Sequence, residues 1–144
     1  MNIIERKIEI TNKINELQTI EEFIEKISEE INLPLNIKYQ LDVILDEIVT
    51  NIISYGYNDK EEHKIKLSVK YKDKLMTMEI EDDGINFNPL ELPPPDITIP
   101  LEDRPIGGLG IHIVKNLVKN IDYKRENNKN RLIMEIEIKD NPEE

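Results

Sequence analysis

Residues 64–84 have the sequence KIKLSVKYKDKLMTMEIEDDG, in which apolar and polar side chains alternate on either side of a short break. Over 64–72 and again over 75–82, apolar residues recur at every second position, which is the period of a β-strand. Alternation leaves one face of each strand to water, so these segments predict a largely antiparallel sheet. Further strands are expected at 3–10, 121–125 and 131–139.

Three other segments carry apolar side chains at the spacing of an amphipathic helix. They lie at 18–31, at about 34–55 and at about 110–120. Pro34 suits the first turn of the second helix, and Gly56 is a plausible C-terminal stop for it. Together with the strands, these helices predict an α+β fold. We expect a two-layer α/β sandwich with the helices on one face of a mixed, mainly antiparallel sheet.

The composition excludes several classes of function. The chain has 144 residues, a formal net charge of −11 and no cysteine. We expect residues 1–144 to form a single domain, because this length is typical of one. So acidic a surface repels nucleic-acid phosphates and anionic lipids, and the lack of thiols excludes disulfides and thiolate metal sites. Neither a membrane-spanning apolar run nor a signal peptide is evident, so a cytoplasmic location is expected.

Prolines are concentrated in one segment of the chain. Six of the eight prolines fall within residues 88–106, where they disfavour both helix and central strand. A loop of this length inside a compact domain is typically either functional or disordered. We therefore expect a lid over about residues 88–106.

The first candidate site is an acid and an amide on one helix face. Glu47 and Asn51 are four residues apart, so their side chains are neighbours on the predicted second helix. Asn51 lies among isoleucines and valines, and a buried amide must find a partner or cost about 1–3 kcal/mol. A magnesium ion is one such partner. A core asparagine bonded to the backbone, or a solvated helix face, is the other interpretation.

The second candidate site is the end of the strand at 75–82. Asp82 shares the parity of Met76 and Met78, so its carboxylate is expected to point towards the helical layer, where it requires a donor. An adenine amino group is one possible donor, and Gly84 would allow close approach to the backbone. An ordinary Asp-Gly turn is the other interpretation.

The third candidate site is the glycine-rich start of the last helix. Residues 106–112 have the sequence IGGLGIH, directly after the proline-rich loop. The free N–H groups and the positive dipole end of a helix start can bind an anion, and glycines allow a phosphate to approach. A flexible hinge is the other interpretation. The sequence is neither a P-loop nor a Rossmann fingerprint.

The order of these parts is more specific than any one of them. An acid–amide helix, a strand-end Asp-x-Gly, a loop and a glycine-rich helix start follow each other over nearly the whole chain. In this order the chain resembles the GHKL (Bergerat-fold) ATPases, the superfamily of gyrase, Hsp90, MutL and histidine kinases. It resembles most the bacterial anti-sigma-factor serine kinases, whose N-box and two glycine motifs are similar to residues 47–57, 82–87 and 107–111.

The resemblance implies an ATP-dependent protein serine/threonine kinase that uses ATP and Mg²⁺. It implies that Asn51 ligates magnesium, that Asp82 binds adenine and that Glu47 is the general base. Arg104, in the predicted lid, would reach the γ-phosphate. The ATP-binding residues that the resemblance implies are Asn51, Asp82, Gly84, Arg104, Gly107, Gly108, Leu109, Gly110 and Ile111.

The resemblance also implies partners. Kinases of this kind sequester a sigma factor and phosphorylate a serine on an anti-anti-sigma (STAS-type) protein, and they are homodimers. The alternative hypothesis is a non-catalytic, nucleotide-gated protein-binding switch of the same fold. Glu47 favours the kinase, because binding alone does not require that acid.

The chain departs from the superfamily pattern in two places. Asn86 stands where many members have a second glycine. Asn130-Arg131 replaces a usual Gly-Thr pair near the last strand, so the hydroxyl contact that this pair would make to the adenine site is not expected here.

Overall fold

The structure is a computed structural model, and it describes residues 3–91, 98, 100 and 108–139. Within these residues the chain forms five β-strands and three α-helices. The strands are β1 (Ile4–Thr11), β2 (Lys64–Lys72), β3 (Leu75–Asp82), β4 (Asn120–Glu126) and β5 (Lys129–Glu137). The helices are α1 (Leu17–Ile31), α2 (Leu35–Tyr55) and α3 (Gly108–Leu117), and short 3₁₀ turns cover Ile14–Glu16 and Pro89–Glu91. Most of the predicted lid lies outside the described residues.

The five strands form one sheet in the order β1-β2-β3-β5-β4. All four neighbouring pairs are antiparallel, so the described sheet is more uniform than the mixed one that the sequence predicted. Its inner face packs against the helices, and the predicted α+β two-layer sandwich is confirmed. Among the described residues, no helix is long and apolar enough to cross a membrane.

Two tight turns set the register of the sheet. Asp73 and Lys74 join β2 to β3 with φ of 51° and 62°, and Asn127 and Asn128 join β4 to β5 with φ of 52° and 61°. Two consecutive positive φ values define the two-residue turn that matches the twist of antiparallel strands. Because the second turn needs only two residues, β5 begins at Lys129, earlier than the predicted 131.

The helix ends follow from local chemistry. The left-handed residue Asn32, with a φ of 53°, ends α1, and Gly56 follows the last residue of α2 as predicted. Helix α3 begins and ends two to three residues earlier than the predicted 110–120. Its end cannot lie as late as 120, because the chain already enters β4 at Asn120.

One hydrophobic core lies between the two layers. Side chains from all three helices meet the inner face of β2, β3 and β5, and burial alternates strictly along β3. Fully buried members include Ile24, Leu41, Ile44, Ile111, Met76, Met78 and Met134. This packing fixes the face towards which each strand residue points, and with it the direction of the polar residues at the strand ends.

The end of β3 is anchored to the end of α2. The backbone N–H of Ile85 donates to the carbonyl oxygen of Gly56 at 2.8 Å. Gly84 lies so close to this carbonyl that a Cβ at position 84 would overlap it, and that Cβ would also lie 2.9 Å from Oδ1 of Asp82. The strand end can therefore reach α2 only with a glycine at this position.

We expect Gly84→Ala to lower the free energy of unfolding by about 1–3 kcal/mol, because the new methyl group forces the turn away from rigid backbone. Urea denaturation of the purified chain measures this. Ser54→Ala, at an exposed position of α2, is the control and should change stability by less than about 0.5 kcal/mol. Equal midpoints for Gly84→Ala and the unaltered chain would contradict the close packing.

Candidate functional site

A mostly apolar cleft opens where α2 faces the ends of β3, β4 and β5. Helix α2 forms one wall, the sheet forms the floor, and the start of the proline-rich segment forms a side. The lining residues are Ile48, Asn51, Ile52, Gly56, Ile80, Asp82, Phe87, Pro89, Tyr123, Asn130 and Leu132. An apolar cleft with a few convergent polar groups is the usual form of a small-molecule site.

Asp82 is buried on the floor of this cleft. It is the last residue of β3, it is 5% exposed, and it lies on the inner face that the alternation predicted. Its Oδ1 accepts hydrogen bonds from the backbone N–H of Gly84 at 2.8 Å and from Nδ2 of Asn130 at 2.9 Å. Burial raises the pKa of this carboxyl group, and the two donors oppose that shift.

Asn51 presents an amide to the same cleft. It is 7% exposed, and its Nδ2 has no hydrogen-bond partner among the described residues. An unsatisfied buried donor costs about 1–3 kcal/mol, and this cost is removed if a ligand accepts from it. The amide oxygen of the same side chain is a type of ligand that Mg²⁺ accepts. Asn51 therefore fits a site for a hydrated cation and phosphate oxygens.

Glu47 lies one helical turn before Asn51 and faces the start of α3. It is half-buried, and a Cβ placed on Gly110 would overlap its carboxylate. The fold thus brings the acid of α2 against the first turn of the glycine-rich helix. Free N–H groups and the helix dipole make that turn favourable for an anion, so a proton acceptor lies beside a potential phosphate position.

The structure unites several of the residues predicted from the sequence. Asn51 and Asp82 share the cleft, and Glu47 and Gly110 meet across α2 and α3. Gly108 and Leu109 form the beginning of α3, and Ile111 follows them as a buried core residue. The predicted site residues Arg104 and Gly107 lie outside the described residues.

The sequence alone indicated Asn130 only as a departure from the superfamily pattern, and it indicated no site role for Tyr123. The structure places both in the cleft, where the hydroxyl of Tyr123 donates to Oδ1 of Asn130. Asn130 shares the inward parity of Leu132 and Met134 on β5, and this parity is the signal that could have revealed it.

A histidine links the loop after α2 to the end of β3. His63 stacks on Tyr57 at 4.2 Å between ring centroids. Its Nε2 lies 2.7 Å from Oδ1 of Asp59, and its Nδ1 lies 3.0 Å from Oδ1 of Asp83. Carboxylates only accept hydrogen bonds, so both contacts are hydrogen bonds only when the ring carries two protons. The bond to Asp59, with a further contribution from Asp83, raises the pKa of His63.

Comparison with known proteins places the chain in a family. The family model described as a histidine kinase-like ATPase domain matches residues 10–136. The anti-sigma F factor of Clostridium novyi (strain NT) is 27% identical over 92 residues, which are 63% of this chain and 64% of that protein. The serine/threonine-protein kinase BtrW of Bordetella bronchiseptica is 22% identical over 86 residues, 60% of this chain and 61% of that protein. The chain thus spans less than two thirds of the length of either relative.

Solved structures share the fold at low identity. The RsbU and RsbW domains of Rv1364c from Mycobacterium tuberculosis match with a TM-score of 0.65 and 12% identity, over 94% of this chain and 32% of that chain. A blue-light activated histidine kinase of Erythrobacter litoralis EL346 matches with a TM-score of 0.53 and 15% identity, over 74% of this chain and 32% of that chain. These two structures confirm the fold alone. The family model and the two relatives confirm the resemblance to GHKL ATPases of the anti-sigma kinase type.

We expect the stabilising contribution of His63 to depend on pH. The pKa of His63 is raised on folding, so the contribution is complete below the unfolded pKa of about 6.5 and is lost as pH rises through the folded pKa. His63→Gln should lower the free energy of unfolding by up to about 1 kcal/mol at pH 6 and by less at pH 8.5. Urea denaturation at several pH values measures the difference.

Asp59→Asn is the matched variant for this experiment, because it removes the main cause of the raised pKa. It should reduce the difference between pH 6 and pH 8.5. A destabilisation by His63→Gln that is constant over this range, or that grows with pH, would contradict the assignment.

Proposed function

The chain belongs to the histidine kinase-like ATPase domain family, and we propose that it binds Mg-ATP in the cleft and transfers the γ-phosphoryl group to a serine of a protein partner. The contact between the carboxylate of Glu47 and the first turn of α3 is the observation that most supports transfer over simple binding. A protein that only binds nucleotide has no need of an acid at this position. The proposed catalytic unit is the single domain of residues 1–144.

Each part of the proposed site has a role in nucleotide binding. Asp82, on the floor of the cleft, would accept a hydrogen bond from the adenine amino group. The backbone N–H groups of residues 108–111 would donate to phosphate oxygens at the start of α3. From the family resemblance, we further propose that Gly107 also binds phosphate and that Arg104 binds the γ-phosphate. Asn51 would hold the magnesium ion through its amide oxygen. A magnesium ion at this position would supply positive charge next to the phosphate oxygens, where negative charge develops.

Glu47 is proposed as the general base. Its carboxylate would take the proton from the serine hydroxyl as the serine oxygen forms a bond to the γ-phosphorus. The bond from that phosphorus to the bridging oxygen breaks at the same time, and ADP leaves with the electron pair. The N–H groups of α3 would stabilise the equatorial oxygens. A positioned base of this kind typically contributes about 10²–10⁴-fold to the rate.

The partners are proposed from the named relatives. An anti-sigma F factor and a serine/threonine-protein kinase are both similar to this chain. We propose that the chain sequesters a bacterial sigma factor in the cytoplasm. We also propose that it phosphorylates the anti-anti-sigma (STAS-type) protein that brings about release of this sigma factor. We further propose that it acts as a homodimer. The acidic surface supports protein partners over direct contact with nucleic acid.

We expect Asn51→Ala to remove the magnesium-dependent part of ATP binding. Calorimetric titration with ATP and with ADP, with and without Mg²⁺, should show micromolar, magnesium-dependent binding to the unaltered chain. The variant should bind Mg-ATP at least about tenfold more weakly, because the cation loses its protein ligand. Thr50→Ala, at the adjacent half-exposed position, is the control and should keep the affinity. Unchanged affinity of Asn51→Ala would remove Asn51 from the site.

We expect Glu47→Gln to separate binding from transfer. Glutamine has the size of glutamate but is not a base, so ATP affinity should stay within about twofold while transfer falls by about 10²–10⁴-fold. The measurement is incorporation of label from [γ-³²P]ATP into a purified STAS-type protein. Asp46→Asn, the neighbouring change of equal charge, is the control.

Two outcomes of the labelling experiment would count against the proposal. Full transfer by Glu47→Gln would show that Glu47 is not the base. ATP binding by the unaltered chain without transfer to any STAS-type protein would instead favour the nucleotide-gated switch.

A further inference from the structure

Three polar side chains from different strands meet on the floor of the cleft. Asp82 on β3 and Asn130 on β5 are opposite partners in the sheet, and Tyr123 lies on the next strand, β4. Asn130 is 6% exposed, so its amide must be satisfied inside the protein. The group connects the end of β3 to the far edge of the sheet.

The amide of Asn130 uses all its principal hydrogen-bonding groups. Its Nδ2 donates to Oδ1 of Asp82 at 2.9 Å and to the carbonyl oxygen of Ile85 at 2.8 Å. Its Oδ1 accepts from the hydroxyl of Tyr123. The opposite amide orientation would place oxygen against two acceptors, so only one orientation fits this environment.

Because Asn130 bonds to Oδ1 of Asp82, only Oδ2 of this carboxylate remains for a ligand. Oδ1 of Asp82 is occupied by Asn130 and by the backbone N–H of Gly84. No donor from the described residues reaches Oδ2, and Asp82 lines the cleft. A carboxylate oxygen can only accept, so this position suits an amino group and disfavours a carbonyl oxygen in its place.

We propose that Asn130 is the positioning residue that holds Asp82 in this orientation, with Tyr123 fixing the amide, and that this arrangement makes the site selective for a 6-amino purine. The inference rests on the proposed nucleotide-binding function and adds to it the residue that determines base specificity. Asn130 acts through Asp82 and is assigned no contact with the phosphates.

The same network joins the two departures from the superfamily pattern. The hydroxyl of Tyr123 lies 2.9 Å from Oδ1 of Asn86 and is also bonded to Asn130. One hydroxyl proton serves one acceptor at a time, so the two amide oxygens share it. One tyrosine hydroxyl thus contacts both asparagines and ties the segment after β3 to β4 and β5.

The test compares ATP with ITP, which carries an oxygen in place of the 6-amino group. Calorimetry on the full chain with Mg²⁺ should show that ATP binds about 10- to 100-fold more tightly than ITP, because ITP leaves the acceptor unpaired. Asn130→Leu should reduce this ratio to about threefold or less, mainly by weakening ATP binding. Tyr123→Phe should give an ATP-to-ITP affinity ratio between those of the unaltered chain and Asn130→Leu. If Asn130→Leu does not fold, Tyr123→Phe is used for the test in its place.

The adjacent cross-strand pair provides the control. Arg131 donates from Nε to Oε1 of Glu81 at 3.1 Å on the opposite face of the same two strands. Arg131→Gln removes this charged pair next to Asn130 without entering the cleft. It should leave the ATP-to-ITP ratio unchanged, so a general effect on the strands is separated from the effect on Asp82.

A readout without nucleotide separates this inference from the proposed function. The donor from Asn130 opposes the effect of burial on the Asp82 carboxyl, so its removal in Asn130→Leu should raise the pKa of Asp82. Tyr123→Phe keeps this donor and only frees the amide to turn, so it should raise the same pKa by less. The charges of Asp83 and Arg125 also act on this carboxyl and are the same in all variants. The pH dependence of the NMR chemical shift of the Asp82 carboxyl carbon measures the change in this pKa.

An unchanged titration or an unchanged ATP-to-ITP ratio in the variants would overturn the role of Asn130 while leaving ATP binding in place. If the unaltered chain bound neither nucleotide, the proposed function would fail. The selectivity would fail with it, and the positioning of Asp82 by Asn130 would be decided by the titration alone.

Discussion

The burial of one carboxylate, that of Asp82, organises the region where the two layers meet. A carboxylate in this environment needs hydrogen-bond donors, and Oδ1 receives them from the glycine turn that follows β3 and from the neighbouring strand β5. The same turn is held against α2 by the bond from Ile85 to Gly56. The helix that carries Asn51 and Glu47 is therefore placed relative to Asp82 through backbone contacts, which do not depend on a ligand.

Most of the fold could be predicted because it follows from local patterns. The bounds of β2 and β3 agree with alternation alone, and the start and end of α2 agree with Pro34 and Gly56. Alternation also gave the inward direction of Asp82. The start of β5 was predicted too late, because the length of a hairpin turn depends on the φ values of Asn127 and Asn128, which asparagine permits but does not require.

The candidate site was less accessible to prediction where it depends on pairing between strands. No local sequence pattern predicts that residue 130 lies opposite Asp82, because the register between β3 and β5 is set by the whole sheet. From the sequence alone, Asn130 is only a replacement for a glycine, whereas in the structure its amide donates a hydrogen bond to Asp82. The linkage through Tyr123 was hidden for the same reason, since β4 contributes it from the other side of β5.

The missing side chain at Gly110 has an evolutionary consequence. The space that a Cβ would need there is taken by the carboxylate of Glu47, so the two positions compete for one volume. Among related sequences, a larger residue at 110 should occur together with a shorter or differently directed side chain at 47. Covariation between these positions would then trace which lineages kept an acid against the start of α3 and which gave it up.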